Sequence, residues 1–404
     1  MRIGIDGSLL GARFSGVERS VAQTVRALAR TAAADDELLL FVGQGFDDYV
    51  ATYHPDGFDA TGRVRLVRTG LDNAWRPARI WWQQMVLPRL VDNCECDLFH
   101  APAYISPRAM RLPRVVTVYD VISLDHPDFA TFGNRLHYRL LLPAGVRRAT
   151  RVIVPSEATR ADLLRWVPSA EPRLRVVPLG VEDRFAGADA ESVGAVRARF
   201  RLPERYWLWV GNVEPKKNVA VLLRALAMLR DEGKVTVRSP LKLVLAGPLS
   251  WGANDLLRLF LREGLQRHVQ FLGRVTDAEL PALYRGAAAF LFPSLAEGFG
   301  LPLLEAMSAG VPVVASTAGA LPEVVGEAGL LVNPADHGAW AQAMWRVLED
   351  DELRARLIAG GRQRAGGYGW ERAAAATWNV YREALAVGED EYDHATGRWL
   401  YGRI

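Results

Sequence analysis

Two glutamates with seven residues between them, Glu297 and Glu305, flank the run Gly298-Phe-Gly-Leu-Pro302. An apolar stretch ending at Phe292-Pro293 precedes them, and a helical pattern extends from about Gly300 to Ala309. A strand, a glycine turn and a helix start in succession turn backbone N–H groups toward an anion, and the helix dipole adds about half a positive charge there. Gly298 and Gly300 suit the turn, because a missing Cβ lets the backbone approach a ligand or take a positive φ. Glu297 lies in the turn and can project toward whatever binds at the helix start. Glu305 lies more than a turn further on and suits a different group of the same ligand. Carboxylates accept from hydroxyls, so the pair fits a ligand with an anionic centre and hydroxyls at each end, as in a nucleotide-sugar. Acids near a helix start also occur for purely structural reasons, and a bare pair of glutamates does not separate the two readings.

A second constellation lies upstream. The apolar run Tyr206–Gly211 leads into Asn212-Val-Glu-Pro-Lys216-Lys217-Asn218, and a helical pattern follows from Val219. Lysine occurs at only four positions in the chain, 216, 217, 234 and 242, and two of them are adjacent here. Paired ammonium groups before a helix start can neutralise a diphosphate, although a solvated pair is equally compatible. The loop is not a Walker A motif, since no G-x4-G-K-[ST] occurs. Neither an Asp-x-Asp pair nor an H-E-x-x-H site is present, so no metal is expected.

These groups must be positioned by alternating strands and helices. In the first half, strands read at Arg2–Asp6, Leu38–Val42, Val64–Val67, Leu98–His100, Val115–Tyr119 and Val152–Pro155. In the second half they read at Tyr206–Gly211, Leu243–Ala246, Val269–Leu272, Ala289–Phe292, Val313–Ala315 and Leu330–Val332. Alternation of this kind implies an α/β fold with parallel sheets covered by helices. Ligands bind such sheets at the carboxyl ends of the strands, so His100, Tyr119-Asp120 and Ser156-Glu157 are further candidates. At 404 residues the chain suggests two domains. The composition divides it into 1–184, a polar, alanine-rich linker at 185–204 with room for a helix, a second domain at 205–372, a helix at 373–388 and a tail at 389–404.

The opening strand passes through Gly7 to Gly16 into a helix with Val17, Val21, Val25 and Leu28 on one face, without a G-x-G-x-x-G fingerprint. Two stretches, 75–89 and 134–148, mix tryptophan or leucine with arginine. They read either as membrane-surface helices facing anionic lipid or as helices packing Trp81, Met85 and Leu87 inward. No apolar run is long enough to span a bilayer, and the first residues lack a signal-peptide pattern, so a cytoplasmic location is expected. Cys94 and Cys96 read as reduced thiols without a special role.

Glu297 and Glu305 around Gly-Phe-Gly-Leu-Pro resemble the E-x7-E signature of retaining glycosyltransferases of family 4. Such enzymes have the GT-B fold, two Rossmann-like domains facing a central cleft. The resemblance extends over nearly the whole chain. It implies a hexosyltransferase whose second domain holds a nucleoside-diphosphate sugar and whose first holds a glycan or lipid-linked acceptor. Lys217 then matches the diphosphate-binding lysine, with Glu297 on the sugar, Glu305 on the ribose, and Asp120 as the third catalytic position. Donor contacts carried over by the resemblance are Gly16, Lys216, Arg274, Gly298, Phe299, Gly300 and Leu301. On the acceptor side, Tyr119 stands where many relatives carry histidine, and His126 lies six residues beyond Asp120. The chain also departs from relatives that have arginine after the glycine of the basic loop, since Asn212 stands there.

The family's habit implies metal-independent transfer without a cofactor, with mannose from a guanosine donor first and uridine donors close behind. It implies peripheral contact of the first domain with the inner face of the membrane, and no nucleic-acid partner. The residues alone leave open an epimerase or phosphorylase on the same scaffold, or a non-catalytic nucleotide-binding subunit.

Overall fold

A computed structural model describes the chain up to Trp399, except for residues 12–14, 73–74, 130–131, 237, 239–240 and 394–397; residues 400–404 also lie outside it. The chain divides into two compact units, Met1–Gly180 joined by the segment from Trp370 onward, and Val181–Gly369.

The first unit is built on a seven-stranded sheet: β1 (Arg2–Asp6), β2 (Glu37–Val42), β3 (Val64–Arg68), β4 (Leu98–Ala101), β5 (Arg114–Thr117), β6 (Arg151–Val154) and β7 (Leu174–Val176). The spatial order is β3-β2-β1-β4-β5-β6-β7, and every pairing is parallel. Its inner strands are near-continuous apolar runs because helices cover both faces. β5 and β6 are largely buried along their length. β5 ends at Thr117, so Tyr119 lies beyond the strand that was expected to contain it. β7 was not legible, since three residues with Arg175 at the centre carry little apolar signal.

The helix Trp370–Glu391 belongs to this unit and packs along the helix Gly16–Thr31. Trp378 Nε1 donates to the Leu28 carbonyl at 3.3 Å, and Glu383 accepts from Arg151 at 3.1 Å and Arg175 at 2.7 Å. A Cβ on Gly180 would lie 2.4 Å from the Trp370 backbone nitrogen, so only glycine permits the two segments to approach this closely. The expected helix at 373–388 therefore starts earlier, at the point where Trp370 joins this core.

The second unit carries β8 (Arg205–Val210), β9 (Leu241–Ala246), β10 (Val269–Gly273), β11 (Ala289–Phe292), β12 (Val313–Ser316) and β13 (Gly329–Val332), ordered β10-β9-β8-β11-β12-β13. All of its pairings are parallel as well. Trp207 and Trp209 alternate on β8 with no exposure, and the Trp207 indole donates to the Met344 carbonyl at 3.1 Å.

Residues 185–204, read from their polarity as a linker, fold into this second unit instead. They form the helix Ala190–Phe200, which packs beside Leu280–Arg285. Asp189 and Ser192 close a capping box at its start, and Arg201 ends it with φ 50°. Short-range caps of this kind hold a helix that has little apolar surface.

The tryptophan-rich helix Arg76–Met85 also differs from its inward-packing reading. Leu87 is buried as that reading has it, and so is Trp82, whereas Trp81 is 61% and Met85 53% exposed, as is Trp75 at 63%. The periodicity was sound, but the phase was set by which neighbour packs against the helix. Leu136 and Leu140 are exposed on the helix Phe132–Arg148, which, like Arg76–Met85, contains no carboxylate. No helix among the described residues is long and apolar enough to cross a membrane.

Candidate active site

In a sheet of order 3-2-1-4-5-6, adjacent strands near the middle send their chains to opposite faces, leaving a crevice at their carboxyl ends. In the second unit that point lies between β8 and β11. The basic loop follows β8 and the acidic turn follows β11, so the two constellations 80 residues apart meet there.

Two bonds staple these loops together, and a third ties the basic loop to the segment after β13. Leu295 N donates to the Lys216 carbonyl at 2.8 Å, and Asn218 Nδ2 donates to the carbonyls of Pro293 at 3.2 Å and Pro334 at 2.8 Å. Asn218 caps the helix Val219–Asp231 from the left-handed region, φ 52°, which asparagine tolerates better than most residues. The result places Lys217 Nζ 2.5 Å from Glu297 Oε1 and 5.1 Å from the centre of the Phe292 ring. Both side chains are largely enclosed, with 16% and 12% of their surfaces exposed. Burial pushes the Glu297 carboxyl up, but the ammonium groups of Lys217 and Lys216 outweigh it, so the group stays ionised below its ordinary range.

The backbone of Glu297 is held from the other side. Its carbonyl accepts from Ala320 N at 3.0 Å, and Gly319 approaches so closely that a Cβ there would sit 2.3 Å from the same oxygen. Gly300 takes φ 112° and starts the helix Leu301–Ser308, with Pro302 in the first turn where no donor is needed. Gly298 and Leu301 are partly exposed around this turn. Phe299 is buried against Tyr368, ring centres 5.8 Å apart, so it supports the turn from beneath. Glu305 is buried, and its Oε2 accepts from the Tyr284 hydroxyl at 2.9 Å. Arg274 is exposed directly after β10, an edge strand of the sheet.

In the first unit the candidates separate. Asp120 accepts from the Tyr104 hydroxyl at 2.8 Å and from Ile122 N at 3.0 Å. Tyr104 lies after β4, at the corresponding switch point, and holds φ 64°, an outlier for a bulky residue. Its ring meets those of Tyr119 and Tyr138 edge-on at 5.8 and 5.4 Å. Tyr119 is almost fully buried, and burial drives its phenol well above the ordinary range, so it stays neutral. His126 is exposed at the C-terminal end of the short helix Ile122–Asp125, its ring against Phe129. Gly16 is exposed at the start of its helix with open space at its Cβ position, and Ser15 Oγ accepts from Glu18 N at 3.2 Å. The preceding residues 12–14 lie outside the described part.

Two other strand-end candidates serve the framework. His100 is buried, with Nδ1 2.7 Å from the Tyr381 hydroxyl and Nε2 2.9 Å from Thr117 Oγ1, and burial lowers its pKa to about 3. Ser156 caps the helix Glu157–Trp166 through Thr159 N at 3.0 Å, and Glu157 is exposed. Tyr104, Tyr284 and Gly319 were missed by sequence reasoning, and Asn218 was read as part of the basic loop but not as the residue that ties it down. Only Tyr104, four residues beyond a strand-end histidine, carried a positional signal. Among the described residues no three His, Cys, Asp or Glu side chains gather as they would around a metal ion.

Comparison with known proteins agrees with this arrangement. Residues 14–185 match the model described as Glycosyltransferase Family 4, and residues 196–364 the one described as Glycosyl transferases group 1. The O-antigen chain mannosyltransferase B of Escherichia coli is 31% identical over 380 residues, 91% of this chain and 96% of that protein. A D-inositol 3-phosphate glycosyltransferase of Salinispora arenicola is 36% identical over 253 residues, 60% of this chain and 56% of its own length. Among solved structures, sucrose-phosphate synthase from Thermosynechococcus elongatus superposes with a TM-score of 0.74 at 23% identity, over 96% of this chain and all of that one. Anabaena HepE in complex with UDP-glucose superposes with a TM-score of 0.71 at 18% identity, over 96% of this chain and 100% of that chain. At these identities the two structures speak for the fold alone. With both family models met in order and a mannosyltransferase aligned over nearly its full length, this chain belongs to the family 4-type glycosyltransferases with the GT-B fold.

Proposed function

We propose that this glycosyltransferase moves a hexose, mannose before others, from a nucleoside-diphosphate sugar to a hydroxyl of a glycan or lipid-linked saccharide, with retention at the anomeric carbon. The observation that carries the reading is the Lys217–Glu297 pair at the β8/β11 switch point, 2.5 Å apart. The name of the Escherichia coli relative supports mannose and a polysaccharide product.

In this reading Lys217 and Lys216 neutralise the diphosphate, and peptide N–H groups from Gly298 to Leu301 complete the anion site. Glu297 accepts from the sugar hydroxyls, and Glu305, oriented by Tyr284, from the ribose. The bond from the anomeric carbon to the phosphate oxygen breaks with its electron pair on the phosphate. The acceptor oxygen bonds to the same face of the sugar, and its proton passes to the departing phosphate oxygen. Lysine and backbone donors supply the positive charge in this scheme, so it requires neither a metal nor a cofactor. Asp120, fixed by Tyr104, and the neutral Tyr119 phenol are assigned to the acceptor side. His126 and Gly16 remain outer candidates.

The first unit is further proposed to rest on an anionic membrane surface through Trp75, Trp81, Met85, Leu136 and Leu140, whose exposed apolar surface lies among arginines. In this reading the enzyme works at the cytoplasmic face of a membrane, where lipid-linked acceptors are presented.

The test is to incubate the purified protein with GDP-, UDP- and ADP-sugars and a saccharide acceptor. Product is followed by mass spectrometry, and the anomeric configuration is read by NMR, with and without chelator. Glycosylated acceptor of unchanged configuration, formed equally with chelator, is expected. Donor isomerisation, phosphate-dependent cleavage, inverted product, or nucleotide binding without turnover would overturn the reading.

A further inference from the structure

We propose that Glu297 is also a product-release device: its carboxylate holds Lys217 between turnovers, shares that cation with the incoming diphosphate, and reclaims it once the sugar has left. The inference rests on the proposed donor site and adds a task that site does not require.

Lys217 and Glu297 touch at 2.5 Å, and the backbone segments that carry them are tied in place. The lysine loop is tied to the acidic turn through Leu295 and Asn218, and Glu297 is tied to Ala320 through its own carbonyl. A diphosphate oxygen that bonds Lys217 therefore lies within about 5 Å of a carboxylate oxygen, given ordinary hydrogen-bond lengths. Two unit negative charges at that separation repel enough to weaken binding about four-fold at the dielectric of bulk water, and more than about a hundred-fold at an effective dielectric of about 20.

The intact donor has a compensation, because its sugar hydroxyls donate to Glu297. The nucleoside diphosphate left after transfer has none. It meets the repulsion without the hydroxyl bonds, while the carboxylate competes for the cation that holds it. Glu297 thus lowers the affinity for product more than for substrate. Such a device has a kinetic use, because product departure limits many transferases and other well-evolved enzymes.

The two possible roles of Glu297 predict opposite signs. If it merely orients Lys217, removing its charge loosens the lysine and weakens binding of the bare nucleotide. If it opposes product, removing its charge tightens that binding. Glu297→Gln keeps the shape and one acceptor oxygen while removing the charge.

The experiment measures inhibition and thermal stabilisation by GDP, UDP and ADP in wild-type protein and in Glu297→Gln. The expected result is an inhibition constant at least about four-fold lower for the preferred diphosphate in the variant, together with slower transfer and a smaller gap between donor and product affinity. An unchanged or higher inhibition constant overturns the inference while leaving the donor site standing. Wild-type protein that none of the three nucleotides stabilises overturns the donor site itself, and the inference with it. Should Glu297→Gln fail to fold, Glu297→Asp withdraws the carboxylate by one methylene. It must then shift product affinity in the same direction by a smaller factor, and an unchanged or weaker affinity counts against the proposal.

Discussion

Gly319→Ala tests the positioning argument most directly, because the variant touches no substrate-facing side chain. Gly319 has φ 55°, and a Cβ built there would stand 2.3 Å from the Glu297 carbonyl oxygen, against the 3.0 Å below which real Cβ contacts essentially do not occur. The two backbones must separate by about 0.7 Å, the difference between those distances, and the Ala320 N to Glu297 O bond of 3.0 Å is the first to yield. Gly233→Ala supplies the control, since Gly233 has φ 74° and nothing within 4 Å of its Cβ position. That variant feels only the left-handed strain, about 1 kcal/mol, or roughly 2–4 °C in melting temperature for a unit of this size. Gly319→Ala should lower the melting temperature by about two to three times as much. Displacing Glu297 by a sizeable fraction of an ångström should reduce kcat on the order of a hundred-fold. Melting curves and initial transfer rates, taken on both variants side by side, decide the matter. If Gly319→Ala melts like Gly233→Ala and transfers sugar at the wild-type rate, the contact does not position the site and the reasoning fails.

Other consequences follow from the same structure. Lys217→Ala should lower kcat on the order of 10²–10³-fold by removing a charge from the leaving group, and should raise the pKa of Glu297, readable by NMR titration of the labelled carboxyl. A folded-state pKa of about 3 for His100, against an ordinary 6.5, means the native state binds fewer protons than the unfolded chain. The resulting stability is complete above pH 6.5 and is lost as pH falls toward about 3; denaturant melts of His100→Gln should lack that slope despite a lower overall stability. Replacing Trp81 and Leu140 together by serine should cut sedimentation with phosphatidylglycerol vesicles at least ten-fold with little change in melting temperature, because both side chains are already exposed.

Most sheet strands were legible because both faces of a parallel sheet are covered, which leaves apolar runs bounded by Gly, Pro or polar residues. The stretch ending at Phe292-Pro293 shows this, and β7 with its central arginine shows where the signal fails. A helix within 185–204 is legible, but its docking onto the second unit is not, because Ala190–Phe200 is anchored by local caps and one buried valine rather than by an apolar face. Trp81 and Trp82 differ by one position, yet one lies outside and the other inside, since helical phase depends on the surface that packs against it.

The sequence by itself determined the chemistry available: two adjacent ammonium groups before one helix, two carboxylates astride a glycine turn before another, and the alternating pattern that makes parallel sheets. These are local properties of a few consecutive residues. The tertiary structure alone decided which of those groups act together. It set Lys217 against Glu297, turned Glu305 onto Tyr284, brought Tyr104 to Asp120, and sealed His100 beneath Tyr381. The reason is physical: a 2.5 Å contact between residues 80 apart depends on strand order and on the bonds that tie neighbouring loops, which no short stretch of chain encodes alone.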